Sequence, residues 1–225
     1  MADYKGILPW SYSSLTAFET CPRRFKATRI TKEAHEAQTE ATTHGNEVHK
    51  AIELHMKNTA YLPEKYASYL PLVEKVRRTP GNKLVEFKFA LTQAFKPTEF
   101  FARDAWCRGV IDFAVVQPES AVVLDWKTGK VKDDHDQLKM FAATTFANHP
   151  YLKKVKTGYV WLAHNVLTSE TFEKTDTPGI WQEFLPRVQR MIHAADKDDF
   201  PPKPSGLCTS WCPLTRKQCE FSGRN

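Results

Sequence analysis

Asp112, Asp125 and Lys127 are charged residues whose types and spacing could do chemistry. They lie in two β-branched and aromatic runs, Gly109 to Val116 and Ala121 to Lys127, separated by the turn-like Gln117-Pro118-Glu119-Ser120. Setting Val116 opposite Ala121 puts Asp112 opposite Asp125, with Lys127 two residues along on the same face of a hairpin. The other face carries Ile111, Phe113, Val115, Val122, Leu124 and Trp126 and is predicted to be core. Two carboxylates held opposite each other repel unless a positive group lies between them. A divalent cation beside a lysine is the economical answer, and it suits hydrolysis at phosphates.

Other polar residues have plainer readings when taken singly. His49, flanked by apolar residues on a predicted helix, reads first as a hydrogen-bonded core histidine. Gly45, one turn earlier, would let another backbone approach closely. Glu86 stands among Val85, Phe87 and Phe89, and spacing alone makes it an outward-facing strand residue. Gln137 follows Asp134 by three residues, the spacing of a capping box.

The cysteines are Cys21, Cys107, Cys208, Cys212 and Cys219. Clustered cysteines in an intracellular chain are more readily metal ligands than disulfides, with free buried thiols as the alternative. Cys208, Cys212 and Cys219 make a compact group of three, and Cys21 is the candidate fourth. Cys107, next to the charged hairpin, reads as a small apolar residue. A site closed by thiolates has no open position for hydrolysis, so any metal there would be structural.

The chain has 225 residues, 41% of them hydrophobic and 12% aromatic, enough for one globular domain over residues 1–225. A net charge of +6 and a pI near 9.0 favour an anionic partner. Near the start, Tyr12, Arg23, Arg24, Phe25 and Lys26 mix aromatics with cations, which suits backbone contact and base stacking on a nucleic acid. A solvated charged face is the bland alternative. The opening MADYKGILPW lacks the basic and apolar stretches of a secretory leader, and no apolar run reaches membrane-spanning length. The expectation is a soluble cytoplasmic protein with no membrane partner.

The elements that must position these residues follow from periodicity. Ser13 or Ser14 can cap a first short helix that Pro22 stops or restarts. Helical spacing runs from about Lys32 to Met56, with Gly45, His49, Ile52 and Met56 on one face, and again from Pro63 to Arg77. Leu84 to Leu91 alternates as a strand ahead of the charged hairpin. Residues 134–148 return to helical spacing, Lys156 to Ala163 reads as a strand, and Val166 to Phe172 pairs back across His164-Asn165. Ile180, Trp181, Phe184, Leu185, Val188, Met191 and Ile192 mark an amphipathic helix before a proline-rich and cysteine-rich tail. The predicted fold is α/β, a central mixed sheet flanked by helices.

Taken in order, Gly45-Asn-Glu-Val-His49, Glu86, Gly109-Val-Ile-Asp112, Asp125-Trp-Lys127-Thr-Gly129 and Gln137-Leu-Lys-Met-Phe141 resemble the motifs of the PD-(D/E)XK nuclease superfamily. The likeness is to its RecB-like branch, which includes Cas4, the AddB nuclease domain and phage exonucleases, and it spans nearly the whole chain. Ser11 to Phe25 looks like that branch's usual opening. The resemblance implies a restriction-endonuclease-like core in which His49, Asp112, Asp125 and the Trp126 carbonyl bind Mg²⁺ or Mn²⁺. It assigns Lys127 to the attacking water, and Glu86 and Gln137 to support of the metal shell or the nucleic-acid backbone. Where the family usually has a tyrosine after the QL motif, this chain has Phe141. Cys21, Cys208, Cys212 and Cys219 resemble the family's iron–sulfur arrangement, which implies a [4Fe–4S] cluster tying residues 11–30 to 205–225. The first interval in the tail is three residues where two is usual, so Zn²⁺ remains the alternative.

The expected activity is a metal-dependent deoxyribonuclease, an exonuclease on single-stranded or end-frayed DNA in recombination, repair or phage DNA processing. The alternatives are a Cas4-type endonuclease trimming DNA for a partner complex, and a non-catalytic DNA-binding subunit on a nuclease scaffold. DNA and a recombination or helicase protein are the expected partners. Intact Asp112, Asp125 and Lys127 argue against the scaffold, which has no use for all three.

Overall fold

The computed structural model describes residues 9–132 and 135–224. Six strands form one mixed sheet: β1 (Asn82–Leu91), β2 (Pro97–Thr98), β3 (Cys107–Val116), β4 (Ser120–Lys127), β5 (Lys154–Trp161) and β6 (Val166–Glu173), in the order β2-β1-β3-β4-β5-β6. Among the described strands only β4 and β5 are parallel neighbours, and the segment joining them contains helix α5 (Asp136–Asn148), as a parallel connection requires. The β3–β4 register has Val116 opposite Ala121 and Phe113 opposite Leu124, the alignment expected from the sequence.

Each sheet face has its own core. On one side, α1 (Tyr12–Thr20), α2 (Pro22–Phe25), α5 and α6 (Thr177–Lys197) bury Leu15, Phe18, Phe25, Phe141, Trp181 and Phe184 against β1, β3 and β4. On the other, α3 (Glu40–Met56) and α4 (Leu70–Arg77) bury Val48, Ile52, Met56 and Val73 against Phe113, Val115, Leu124 and Trp126. Apolar burial of this kind stabilises by about 1.5–3 kcal/mol for each large side chain.

Several boundaries differ from those read in the sequence. Ser11, rather than Ser13 or Ser14, caps α1, and its side chain exchanges hydrogen bonds with Ser14 in a capping box. The helix expected from Lys32 begins only at Glu40, where Thr39 and Thr42 make another such box. The run from Pro63 splits into a 3₁₀ helix (Glu64–Tyr69) and α4, because Pro71 supplies no N–H and takes a first-turn position. Asp134, the expected cap of α5, lies outside the described residues; His135 occupies the cap position but does not cap the helix with its side chain, whose Nδ1 lies 3.0 Å from Glu170 Oε2 instead.

Sheet pleating is broken where chemistry is expected. Glu86 has φ of 53°, a left-handed conformation rare for a side chain of this kind. The β1–β3 register is the same on either side of it, yet Glu86 and Asp112 are not paired. Inward and outward alternation slips at that point. Leu84 and Phe87 both pack toward the first core, and Val85 toward the second. Ile111 slips likewise: it joins the first core rather than the Phe113 face predicted for it. A single strand irregularity re-aims every side chain beyond it, which alternation alone does not reveal.

Candidate active site

The β3–β4 ladder ends at Phe113 and Leu124, one step short of the two aspartates. In place of backbone pairing, the Trp126 N–H donates to Asp112 Oδ2 at 2.8 Å. The strands therefore part around a carboxylate, and the acidic residues meet in the gap. α3 delivers His49, whose Nδ1 lies 3.3 Å from the same Asp112 oxygen. An added Cβ at Gly45 would stand 3.4 Å from Thr128 Oγ1. Gly45 thus faces a side chain of the turn after Lys127, not the backbone expected there.

Asp125 is only 6% exposed. Its Oδ1 accepts a hydrogen bond from Gln137 Nε2 at 3.3 Å. Oδ2 is 2.6 Å from Lys127 Nζ, but off the line of a hydrogen bond, and has no hydrogen-bond partner among the described residues. Burial raises its carboxyl to about 6, the Asp112 charge adds to the rise, and Lys127 works against it. Glu86, half-buried, is raised by burial and then by the charges of Asp112 and Glu53. Burial opposes protonation of His49, but its hydrogen bond to Asp112 and the Asp112 and Asp125 charges outweigh that and hold it above the ordinary value.

Lys127 is held from three sides. Nζ contacts Asp125, donates to Gln137 Oε1 at 3.1 Å and lies 4.8 Å from the centre of the Tyr159 ring. The Tyr159 hydroxyl donates to the same Gln137 oxygen at 3.4 Å. Gln137, which capping could have explained from sequence, is therefore in the charged network. Tyr159 was not picked out by sequence reasoning. Its signal was positional: the strand after α5 runs parallel to β4 and sets Tyr159 beside Asp125. Lys127, Gly129, Lys130, Lys132, Gln137, Tyr159 and Trp161 line a cavity of about 240 Å³ next to this network.

The donor set fits a hard divalent cation: two carboxylates beside an imidazole, one carboxylate with a buried oxygen that the Lys127 ammonium contacts without a well-formed hydrogen bond. Among the described residues no three His, Cys, Asp or Glu side chains stand ready to hold a metal. At the carboxylates Lys127 contacts Asp125 and His49 lies against Asp112, and Cys21, Cys208, Cys212 and Cys219 are not gathered into such a group either.

The other predicted residues lie at the joined chain ends. Cys212 and Cys219 are buried with Ala27, Ala34 and Leu214. Cys21 Sγ accepts from the Lys203 N–H at 3.5 Å, and Cys208 Sγ from the Ser205 N–H at 3.4 Å. No described cysteine is in a disulfide. Cys107 is fully buried in the first core, and burial pushes its thiol up. Arg23 donates to the Gln218 carbonyl, Arg24 pairs with Glu36, and Lys26 pairs with Asp198. Tyr12 packs edge-on to Phe184, 6.4 Å between ring centres. No helix among the described residues is long and apolar enough to cross a membrane.

Comparison with known proteins bears on the fold and the family. A solved "putative exonuclease" from Eubacterium rectale is similar over 92% of this chain and 88% of its own, with TM-score 0.54 and 10% identity, a likeness of fold. A second solved protein, SSO0001, is similar over 92% of this chain and 87% of its own, with TM-score 0.39 and 14% identity. No curated protein matches the sequence. Residues 9–220 match the model of the PD-(D/E)XK nuclease superfamily, taking in the parted hairpin, His49, Glu86, Gln137, Cys21, Cys208, Cys212 and Cys219. With that match over most of its length, the chain belongs to the PD-(D/E)XK nuclease superfamily.

Proposed function

We propose that the chain is a Mg²⁺- or Mn²⁺-dependent deoxyribonuclease, an exonuclease acting on single-stranded or end-frayed DNA. Membership of a nuclease superfamily supplies the hydrolase class. The observation that carries the metal-dependent chemistry is Asp125, a buried carboxylate set beside Asp112 and Lys127, with an oxygen lacking a well-formed hydrogen bond. A scaffold that only bound DNA would gain nothing from burying that charge.

Asp112 and Asp125 would hold the cation, with His49 and the Trp126 carbonyl beside them. The cation would supply charge neutralisation at the phosphate and a more acidic water. Lys127 would release Asp125, then orient the attacking water and stabilise charge growing on the phosphate. Gln137 fixes the ammonium between Asp125 and Tyr159, which limits where Lys127 can point. Glu86 faces the Asp112 charge and would hold a proton or support the cation's shell. A membrane plays no part in this reading. The RecB-like, Cas4-like branch is supported by the joined termini, where two thiol sulfurs already accept backbone N–H groups as thiolate ligands do. Those termini would carry a [4Fe–4S] cluster on Cys21, Cys208, Cys212 and Cys219, with Zn²⁺ as the alternative.

The test is digestion of end-labelled linear and of circular single-stranded DNA with Mn²⁺. Stepwise shortening of the linear strand with the circle intact is expected. Cleavage of the circle would replace the exonuclease with the Cas4-type endonuclease.

A further inference from the structure

A second feature lies on the same hairpin as the candidate active site. In β3 the position of Gly109 is filled by the Phe89 ring: an added Cβ would come within 2.6 Å of it. Gly109 therefore faces the first core, and its neighbours Arg108 and Val110 face the other way, toward the α3 side. Asp112 meets α3 on that side through His49. Arg108 is four residues from Asp112, roughly 13 Å of strand. Lys88, opposite Val110 on β1, shares this face.

The loop between β2 and β3 sets two aromatics against these cations. The Arg108 guanidinium lies 5.2 Å from the Phe100 ring centre and 5.9 Å from that of Phe101, and Lys88 Nζ lies 5.6 Å from Phe100. Phe100 and Phe101 meet edge to face at 5.0 Å. Phe101 is 80% exposed. An exposed ring with packed cations offers a π-face to a base and positive charge to its backbone. Glu99 and Asp104 lie in the same loop, but Lys96 and Arg103 offset them, and Asp104 accepts a hydrogen bond from the Thr98 hydroxyl. Loop and strand residues together remain positive, as an anionic occupant requires.

We infer that Phe101, Phe100, Arg108 and Lys88 form a stacking platform for single-stranded DNA, which leads the strand along β3 toward Asp112. The inference rests on the nuclease reading for its direction, and it assigns the substrate form by a feature outside the catalytic residues. A base stacks on Phe101, while Arg108 and Lys88 take phosphates. A duplex, whose bases are already stacked on each other, cannot use the ring in this way.

The experiment measures binding of fluorescent oligothymidylate to the metal-free parent, Phe101→Ala, Phe101→Trp and Arg108→Ala across a salt series. Hydrolysis of a small chromogenic phosphodiester with Mn²⁺ is followed in parallel. Phe101→Ala is expected to weaken binding roughly 5- to 150-fold with an unchanged salt slope, and Phe101→Trp to restore it. Arg108→Ala is expected to lower the salt slope by about 0.7, the value for one lost phosphate contact on a single strand. Both alanine variants should hydrolyse the small substrate as the parent does. Parent-like binding by Phe101→Ala, or an equal loss for blunt duplex, would overturn the platform. Phe101-dependent binding by a parent that cleaves nothing would keep the platform and remove the nuclease reading instead.

Discussion

In the proposed site Asp125 would help hold the cation, and its carboxyl is deeply buried beside Asp112 and Lys127. Burial and the Asp112 charge raise its carboxyl to about 6, and His49 and Glu86 are raised as well. All three bind a proton more tightly in the folded chain than in the unfolded one. Their contribution to stability is therefore fully present below their unfolded values and is lost as pH rises through the folded ones. The metal-free protein should melt a few degrees higher at about pH 5 than at about pH 7.5, and Asp125→Asn should flatten most of that difference. Mn²⁺ should raise the melting temperature at the higher pH and have little effect at the lower, where protons compete for the same oxygens. A melting temperature that climbs steadily with pH in metal-free buffer would contradict this picture of the site.

At the scale of elements, the site depends on how helices are pinned to the parted hairpin. Arg187 on α6 donates to both carboxylate oxygens of Glu19 on α1 at 2.8 and 2.7 Å, and to Asp136 at the start of α5 at 2.6 Å. Asp136 precedes Gln137, so this tie sets where the Lys127 network begins. Arg187→Ala removes this tie, leaving Glu19 and Asp136 to longer contacts such as Arg190 at 3.7 Å and Lys139 at 3.9 Å, and should cost about 1–3 kcal/mol in denaturant unfolding. Gly109→Ala should cost a similar 1–3 kcal/mol, because its methyl group meets the buried Phe89 ring. The hairpin and its register were legible in the sequence because alternation and turn composition are local signals. So were the amphipathic α6 and the pairing of β6 back onto β5. The slip at Glu86, the late start of α3 and the part played by Tyr159 were not. Each depends on something local periodicity does not show: a left-handed residue, a cap seven residues beyond Lys32, a parallel neighbour. Gln137 shows the same limit in reverse, since its spacing fits a cap while its contacts belong to the network.

Over the whole molecule, one sheet separates two cores, and the chain ends close on each other beside the first. Cys212 and Cys219 are buried with residues from the opening segment, and Arg23 reaches the Gln218 carbonyl. A cluster there would hold the termini together and leave the carboxylates to do the hydrolysis. Cys212→Ala should lose bound iron or zinc and lower the melting temperature, while hydrolysis of a small phosphodiester per folded molecule stays near the parent's. A freshly, anaerobically purified parent with neither metal and full stability would remove the cluster.

The central claim is that Lys127 and its two aspartates form a hydrolytic site. The most direct measurement compares the parent and Lys127→Ala on end-labelled linear DNA with Mn²⁺, at matched fold and matched DNA binding. The nuclease assignment predicts that Lys127→Ala cleaves on the order of a hundredfold more slowly, or worse, with binding retained. Equal cleavage rates for the two proteins would contradict it.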